Sequence, residues 1–368
     1  MISAEKKARL LAFYLPQFHP IPENNAWWGD GFTEWTNVAK ARPMFRGHYQ
    51  PHLPADLGFY DLRVPEVREA QADLARGAGI EGFCYWHYWF AGKRLLERPF
   101  NEVISSGKPD FPFCVAWANA TWSGVWHGSP DRILIEQTYP GPEDHTRHFN
   151  ELLPAFRDPR YIRVDGKPLF LVYRPFELPA ARQFVDLWQG LARQNGLPGL
   201  YILGLSHSDW HYDQVGFDGV VLNNFAIIRH RLILGQRSIP IKILHRLLRR
   251  DPVALWYSLT KRPRRFSYAQ YTQVGLQPID HVKSEYPLVL SSFDNTPRSG
   301  HRGLILDGAT PELFQAHLQD AVDQLSVRPP NKRLIFLQAW NEWAEGNHLE
   351  PDQKYGHRYL DAVRACVM

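Results

Sequence analysis

A chain of 368 residues and 42.7 kDa is long enough for one large domain or two ordinary ones. With 44% hydrophobic and 22% charged residues it is neither disordered nor fibrous, and no apolar run approaches the roughly 18 to 20 residues of a membrane span. The net charge of +4 is uneven: eleven Lys/Arg face Asp251 alone between Arg229 and Arg265, so a mildly acidic body carries one basic segment, which argues against a nucleic-acid binder.

The first apolar run, LLAFYLP (Leu10–Pro16), follows a start without a sustained apolar stretch, so no secretory leader is expected and the cytoplasm is favoured. Next come GIEGFCYWHYW (Gly79–Trp89), FPFCVAWAN (Phe111–Asn119), PLFLVYRP (Pro168–Pro175) and LYILGLS (Leu200–Ser206). GVVLNN (Gly219–Asn224), PLVLSSFDN (Pro287–Asn295) and RLIFLQAW (Arg333–Trp340) complete the series. These runs are continuous rather than alternating, as in strands buried on both faces of a parallel sheet. Helical periodicity fills Val64–Arg76, Glu143–Phe156, Pro179–Asn195 and Pro311–Leu325. Eight strand–helix units predict a (β/α)₈ barrel, read as one domain over residues 1–368, with a doubly wound sheet as the rival.

Two long excursions, Gln17–Leu62 and Phe225 to about Tyr268, leave the carboxyl ends of the first and sixth strands, the face where barrels build active sites. The glycines of Gly77-Ala-Gly79-Ile-Glu-Gly82 spell a dinucleotide fingerprint, but they run from helix to strand, the reverse of the phosphate-binding order. Cys84, Cys114 and Cys366 share no metal-ligand spacing and cannot all pair.

Eleven of the 13 tryptophans (27, 28, 35, 86, 89, 117, 122, 126, 210, 340 and 343) fall at strand ends or in the loops just beyond. Indole faces collected at one rim suit the C–H faces of pyranose rings while leaving hydroxyls free to hydrogen-bond. In AWNEWAEGNHLEPD (Ala339–Asp352), Glu342 and Glu345 are three residues apart after the eighth strand, and a helical turn there puts both carboxylates on one face. Two carboxyls in a partly dry, aromatic setting push each other's pKa values apart, as glycoside cleavage requires.

The NEWAEG segment resembles the Asn-Glu-Trp-His-Glu-Gly motif of glycoside hydrolase family 99, the endo-α-mannosidases and endo-α-mannanases. Nearly the whole chain is similar to the related WbsX-type proteins of bacterial polysaccharide clusters, through segments 12–38, 46–63, 82–99, 113–123 and FDNTPR (Phe293–Arg298). The resemblance implies a retaining hydrolase acting on α-linked manno-configured sugars (mannose or a 6-deoxy analogue such as rhamnose) of a polysaccharide or oligosaccharide. It implies Glu342 as base toward the substrate's 2-hydroxyl, which attacks the anomeric carbon to give a 1,2-anhydro sugar. It implies Glu345 as general acid and then base. The motif's His is Ala344 here. No metal or organic cofactor is implied. The rival is a glycosyltransferase of cell-surface polysaccharide (O-antigen) assembly.

Sugar-binding candidates at the rim are Tyr14, Gln17, His19, Trp28, Glu34, Trp35, Trp86, His87, Trp117, Asn119, Trp122, Tyr173, Asp294, Asn295 and Arg298, with Trp340, Asn341 and Trp343 around the glutamates. Glu34 stands out as an extra carboxylate able to hold a hydroxyl or raise the pKa of Glu345. His207 and His211 are read as loop histidines rather than a metal site. In segment 229–265, basic and apolar residues interleave at helical spacing, which suits an anionic membrane surface or an acidic glycan, or equally a plain helical insertion.

Overall fold

Runs of Leu, Ile, Val and Phe without interrupting charge form strands that need cover on both faces, and a closed sheet ringed by helices supplies it. The computed structural model describes residues 6–124, 129–223, 225, 261–276, 278–280 and 282–368. The barrel strands are β1 (Arg9–Tyr14), β2 (Gly82–Phe90), β3 (Phe113–Trp117), β4 (Lys167–Val172), β5 (Tyr201–Ser206), β6 (Gly219–Leu222), β7 (Glu285–Leu290) and β8 (Leu334–Gln338). Each pairs in parallel with the next. β1 also pairs with β8, placing Leu11 opposite both Gly82 and Phe336 and closing the circle. The expected (β/α)₈ barrel is the observed fold, and the open-sheet rival is excluded.

The excursion after β1 holds α1 (Pro22–Trp28) and α2 (Glu34–Lys40), and α3 (Pro65–Gly77) returns the chain to β2. The helices α4 (Arg98–Ser106), α5 (Pro142–Arg157) and α6 (Ala181–Gln194) follow β2, β3 and β4. Beyond them lie α7 (Tyr268–Gly275), α8 (Thr296–Ser299), α9 (Pro311–Leu325) and α10 (Arg358–Val367). Proline opens α3, α5 and α9, where its missing N–H costs nothing and its fixed φ suits the first turn. Among the described residues, no helix is long and apolar enough to cross a membrane.

Most of the basic segment, residues 226–260, lies outside the described residues. Its far end is built into the fold: Arg264–Ser267 forms a strand parallel to Leu304–Asp307. There Arg265 pairs with Asp307 and lies over the Phe45 ring, 3.7 Å from its centroid. The fold thus engages the charge of this arginine within the chain.

Candidate active site

Beyond β8 the chain folds back at once. Asn341–Glu342 pairs antiparallel with Asn347–His348, and Trp343–Glu345 between them is a single 3₁₀ turn. Residues i and i+3 eclipse in such a turn, so the spacing read from the sequence sets Glu342 and Glu345 on one side. Gly346 closes the turn at φ 54°, a left-handed conformation, and a Cβ there would lie 3.1 Å from the Asp294 Cβ. Only glycine meets both demands without strain. Asn341 anchors the hairpin to the barrel: its Oδ1 accepts from the Leu15 N–H at 2.7 Å and its Nδ2 donates to the Leu15 carbonyl at 3.0 Å.

The FDNTPR segment divides its labour. Asp294 Oδ1 accepts from the Thr296 N–H (2.9 Å) and hydroxyl (2.6 Å), while Oδ2 meets His48 Nε2 and Gln50 Nε2 at 2.7 Å each. Asn295 Oδ1 accepts from the Leu304 N–H at 2.8 Å. These two residues shape the turn into α8, and α8 delivers Arg298 to the hairpin. The guanidinium donates from Nη1 to Glu345 Oε1 at 2.6 Å, from Nη2 to Glu342 Oε2 at 3.0 Å, and from Nε to Glu34 Oε1 at 3.0 Å. Glu34, the first residue of α2, is fully buried, and its N–H donates to the Gln17 carbonyl at 3.0 Å.

One guanidinium thus faces three carboxylates in a site largely closed to water. Burial there works against the charged forms of Glu342 and Glu345. Burial pushes Glu342 up to about 8, opposed by Arg298 and reinforced by Glu345 and Glu34. Burial likewise raises Glu345, against Arg298 and with Glu34 adding to the rise. The neighbouring arginine keeps an ionised form within reach while the dry setting favours the acid, the tension that acid–base catalysis exploits.

Above this cluster opens a cleft of about 630 Å³. Of the expected residues, Gln17, Trp28, Trp86, Trp122, Tyr173, Arg298, Glu342 and Glu345 line it. The Trp86 indole stacks on Phe13 (4.6 Å, 9°) and meets Tyr173 edge-on at 5.5 Å, which fixes its face. Glu34 sits directly behind Arg298, outside the lining.

The remaining candidates are not in the cleft lining, and strand parity explains the clearest cases. Successive side chains on a strand point to opposite faces. Trp86 and Tyr88 line the cleft, so His87 points outward, where its Nε2 lies 2.8 Å from His148 Nε2 on α5. Trp117 also points outward onto His148, at 4.8 Å. Tyr14 donates to Gln71 of α3 at 2.7 Å, whereas its neighbour Leu15 lines the cleft. His19 is buried away from the lining. Asn119 braces the loops after β3 and β4, accepting from the Arg174 N–H at 2.8 Å and donating to the Arg174 carbonyl and Tyr139 hydroxyl at 2.9 Å.

Three expected tryptophans are framework. Trp340 packs on Phe83 (5.1 Å), Trp35 donates to the Tyr60 carbonyl (2.7 Å), and Trp343 donates to Glu350 (2.6 Å) while stacking on His348 (3.8 Å). The rim position of the tryptophans was legible, but only a minority of those described, Trp28, Trp86 and Trp122, line the cleft. Trp126 and Trp256 lie outside the described residues. The sequence reading missed Asn24, Asn37, Tyr88, Arg174, Asn223 and Gln338, which also line the cleft. The last four stand at or just past the ends of β2, β4, β6 and β8, where the strand-end rule alone would have found them.

A family model described as "Glycosyltransferase WbsX" matches residues 10–363. A protein of Xanthomonas campestris pv. campestris, described as uncharacterized protein WxcX, is 40% identical over 369 residues. The match covers 98% of this chain, and the chain spans about half the length (50%) of that curated relative. Among solved structures, the GH99 endo-α-mannosidase from Bacteroides thetaiotaomicron aligns with TM-score 0.55 and 14% identity, covering 97% of this chain and 96% of its own. A "Glycoside hydrolase-like protein" aligns with TM-score 0.57 and 14% identity, covering 99% and 95%. At that identity, these two likenesses establish a shared fold.

Proposed function

The chain belongs to the WbsX family, and from that premise we propose a carbohydrate-active enzyme that breaks an α-linked manno-configured glycosidic bond with retention. One observation carries this reading: Glu342 and Glu345, both bonded to Arg298, form one wall of an aromatic cleft at the carboxyl end of the barrel. In the proposed reaction Glu342 takes the proton of the substrate's 2-hydroxyl, whose oxygen attacks the anomeric carbon. Glu345 protonates the departing oxygen, and a 1,2-anhydro sugar forms. Glu345 then deprotonates the incoming acceptor while the strained ring opens and Glu342 returns its proton.

Substrate must meet an ionised Glu342, yet burial raises that group to about 8. Because Glu345 must hold its proton in the same form, kcat/KM against pH should be bell-shaped, rising above the ordinary carboxylate range as the pair loses its first proton and falling near 8 as it loses the second.

A second reading keeps the same glutamates and changes the acceptor. The family's description as a glycosyltransferase favours transfer of a sugar, and the setting proposed for it is cell-surface polysaccharide assembly. The two are separated by incubating the protein with an activated aryl α-mannoside or α-rhamnoside, and in parallel with nucleotide sugars plus a polysaccharide acceptor. Release of the aryl alcohol, abolished in Glu342→Gln, supports hydrolysis; consumption of nucleotide sugar alone supports the transferase. We propose further that the basic segment meets an anionic glycan or membrane surface, in which case unmodified protein binds anionic vesicles at low salt and loses them at high salt.

A further inference from the structure

At the hairpin, outside the cleft lining, two histidines and an aspartate converge. His52, His348 and Asp352 are 8%, 4% and 3% exposed, and one donor atom from each lies within 4.8 Å of the others. His52 comes from the excursion after β1, while His348 and Asp352 come from the hairpin and its continuation. Their backbones are laced together: Ala55 N–H donates to the Pro351 carbonyl at 3.0 Å and Gln353 N–H to the Leu53 carbonyl at 2.9 Å.

The hydrogen bonds assign the donor atoms. His348 Nδ1 stands 3.0 Å from the Glu350 carbonyl, which can only accept, so Nδ1 carries the proton and Nε2 of the neutral ring presents a lone pair. That lone pair aims at His52 Nδ1, 2.9 Å away, with Asp352 Oδ2 at 3.9 Å. Asp352 Oδ1 accepts from the Lys354 N–H at 3.0 Å and the Tyr355 N–H at 2.6 Å, which fixes the carboxylate with Oδ2 toward the histidines. A ring held through its other nitrogen by a carbonyl is the arrangement in which histidines bind metals. Stacking of Tyr49 on His52 (4.1 Å) and of Trp343 on His348 (3.8 Å) preorganises both rings.

We propose that His52, His348 and Asp352 bind one divalent transition-metal cation of the zinc class. Two imidazoles and a carboxylate are a donor set for such an ion, with a fourth position left for water. Tetrahedral Zn–N bonds of about 2.0 to 2.1 Å need nitrogens about 3.3 Å apart, so the rings must part by about 0.4 Å. On binding, the His52 proton moves from Nδ1 to Nε2 by exchange with water, so that the neutral ring presents its Nδ1 lone pair to the metal in place of the hydrogen bond to His348. None of the three residues lines the cleft, so the ion's task is to clamp the excursion onto the hairpin that bears Glu342 and Glu345. His348, stacked directly under Trp343, transmits that restraint. This inference stands apart from the sugar chemistry.

The test uses tag-free protein, stripped with chelator and dialysed against zinc. Elemental analysis should return about one zinc per chain, with the melting temperature raised by about 5 °C in excess zinc. Asp352→Asn and His52→Gln should each weaken zinc affinity at least tenfold. If a variant fails to fold, cobalt(II) added to unmodified protein decides. The strong visible d–d bands of a four- or five-coordinate ion are expected, and only the weak spectrum of the hydrated ion would overturn the proposal. Zinc below a tenth of an equivalent without a thermal shift would overturn it. Binding unchanged in folded variants would do the same, assigning the metal to surface histidines.

Discussion

Two buried glutamate sites sit within nine residues of chain, and their chemistry differs. At Glu350 neutral donors hold the carboxyl: Tyr60 Oη (2.8 Å) and Trp343 Nε1 (2.6 Å) reach Oε2, and Gln71 Nε2 (2.6 Å) reaches Oε1. Burial raises that carboxyl to about 7, against the pull of those hydrogen bonds, and the group is closed off from the cleft. At Glu342 and Glu345 each carboxylate gives one oxygen to the same arginine and lines the cleft. A raised pKa is common to both sites, so it does not by itself mark catalysis. What separates the two sites is the open cleft and the shared arginine at Glu342 and Glu345. Glu350 is the joint that seats Trp343, and Glu342 and Glu345 are the groups that joint presents.

The sharpest break between the two sites is kinetic. Glu345→Gln should cost about 10² to 10⁴ in turnover of substrates with poor leaving groups, the usual worth of general acid catalysis. Activated aryl glycosides should lose less at the bond-breaking step, because their leaving group needs little protonation. Steady-state and burst kinetics across a leaving-group series check this, and equal losses throughout would remove the acid role. Glu350→Ala should instead act on stability, stranding three buried donors at about 1 to 3 kcal/mol each, read as a lower urea midpoint. A Glu350→Ala protein as stable as wild type but inactive would reverse the assignment.

Stability against pH sharpens the contrast. Glu342 has a folded pKa raised from 4.5 to about 8, so between those values the folded state holds a proton the unfolded chain releases. That contribution is complete below pH 4.5 and is lost as pH rises through about 8. Glu342→Gln should therefore melt higher than wild type at pH 8, with the gap closing toward pH 4.5, while losing activity. A melting difference independent of pH would show that Glu342 is ionised throughout. The smallest effect is expected on the cleft wall: Trp122→Ala removes a stacking face worth about 1 kcal/mol, an approximately fivefold rise in KM with kcat nearly unchanged.

The barrel was legible because its strands are unbroken apolar runs and its longer helices carry strong periodicity. The i, i+3 glutamates were legible because a single turn separates them. Face was harder to read. On β2, Trp86 and His87 look equally suited to a sugar, and which of them faces the cleft emerges from the fold, where Trp86 and Tyr88 line it and His87 pairs with His148. Helices α4 and α10, at 9 and 10 residues, carry too few turns to announce themselves. Long-range partners left no local mark: Asn341 clamps a backbone 326 residues away, and His52 meets His348 across 296. Arg298 was one rim candidate among many until the fold carried it across 264 residues to Glu34.

Intact-protein mass spectrometry after incubation with an activated 2-fluoro α-mannoside tests most directly whether Glu342 works through the substrate's own 2-hydroxyl. The parent 2-hydroxy glycoside, which should turn over, serves as the control. The expected result is unmodified protein and no turnover of the fluoro sugar, since no enzyme carboxylate attacks carbon. A mass increase of one fluoro-sugar residue mapping to Glu342 would make it a nucleophile and contradict the mechanism.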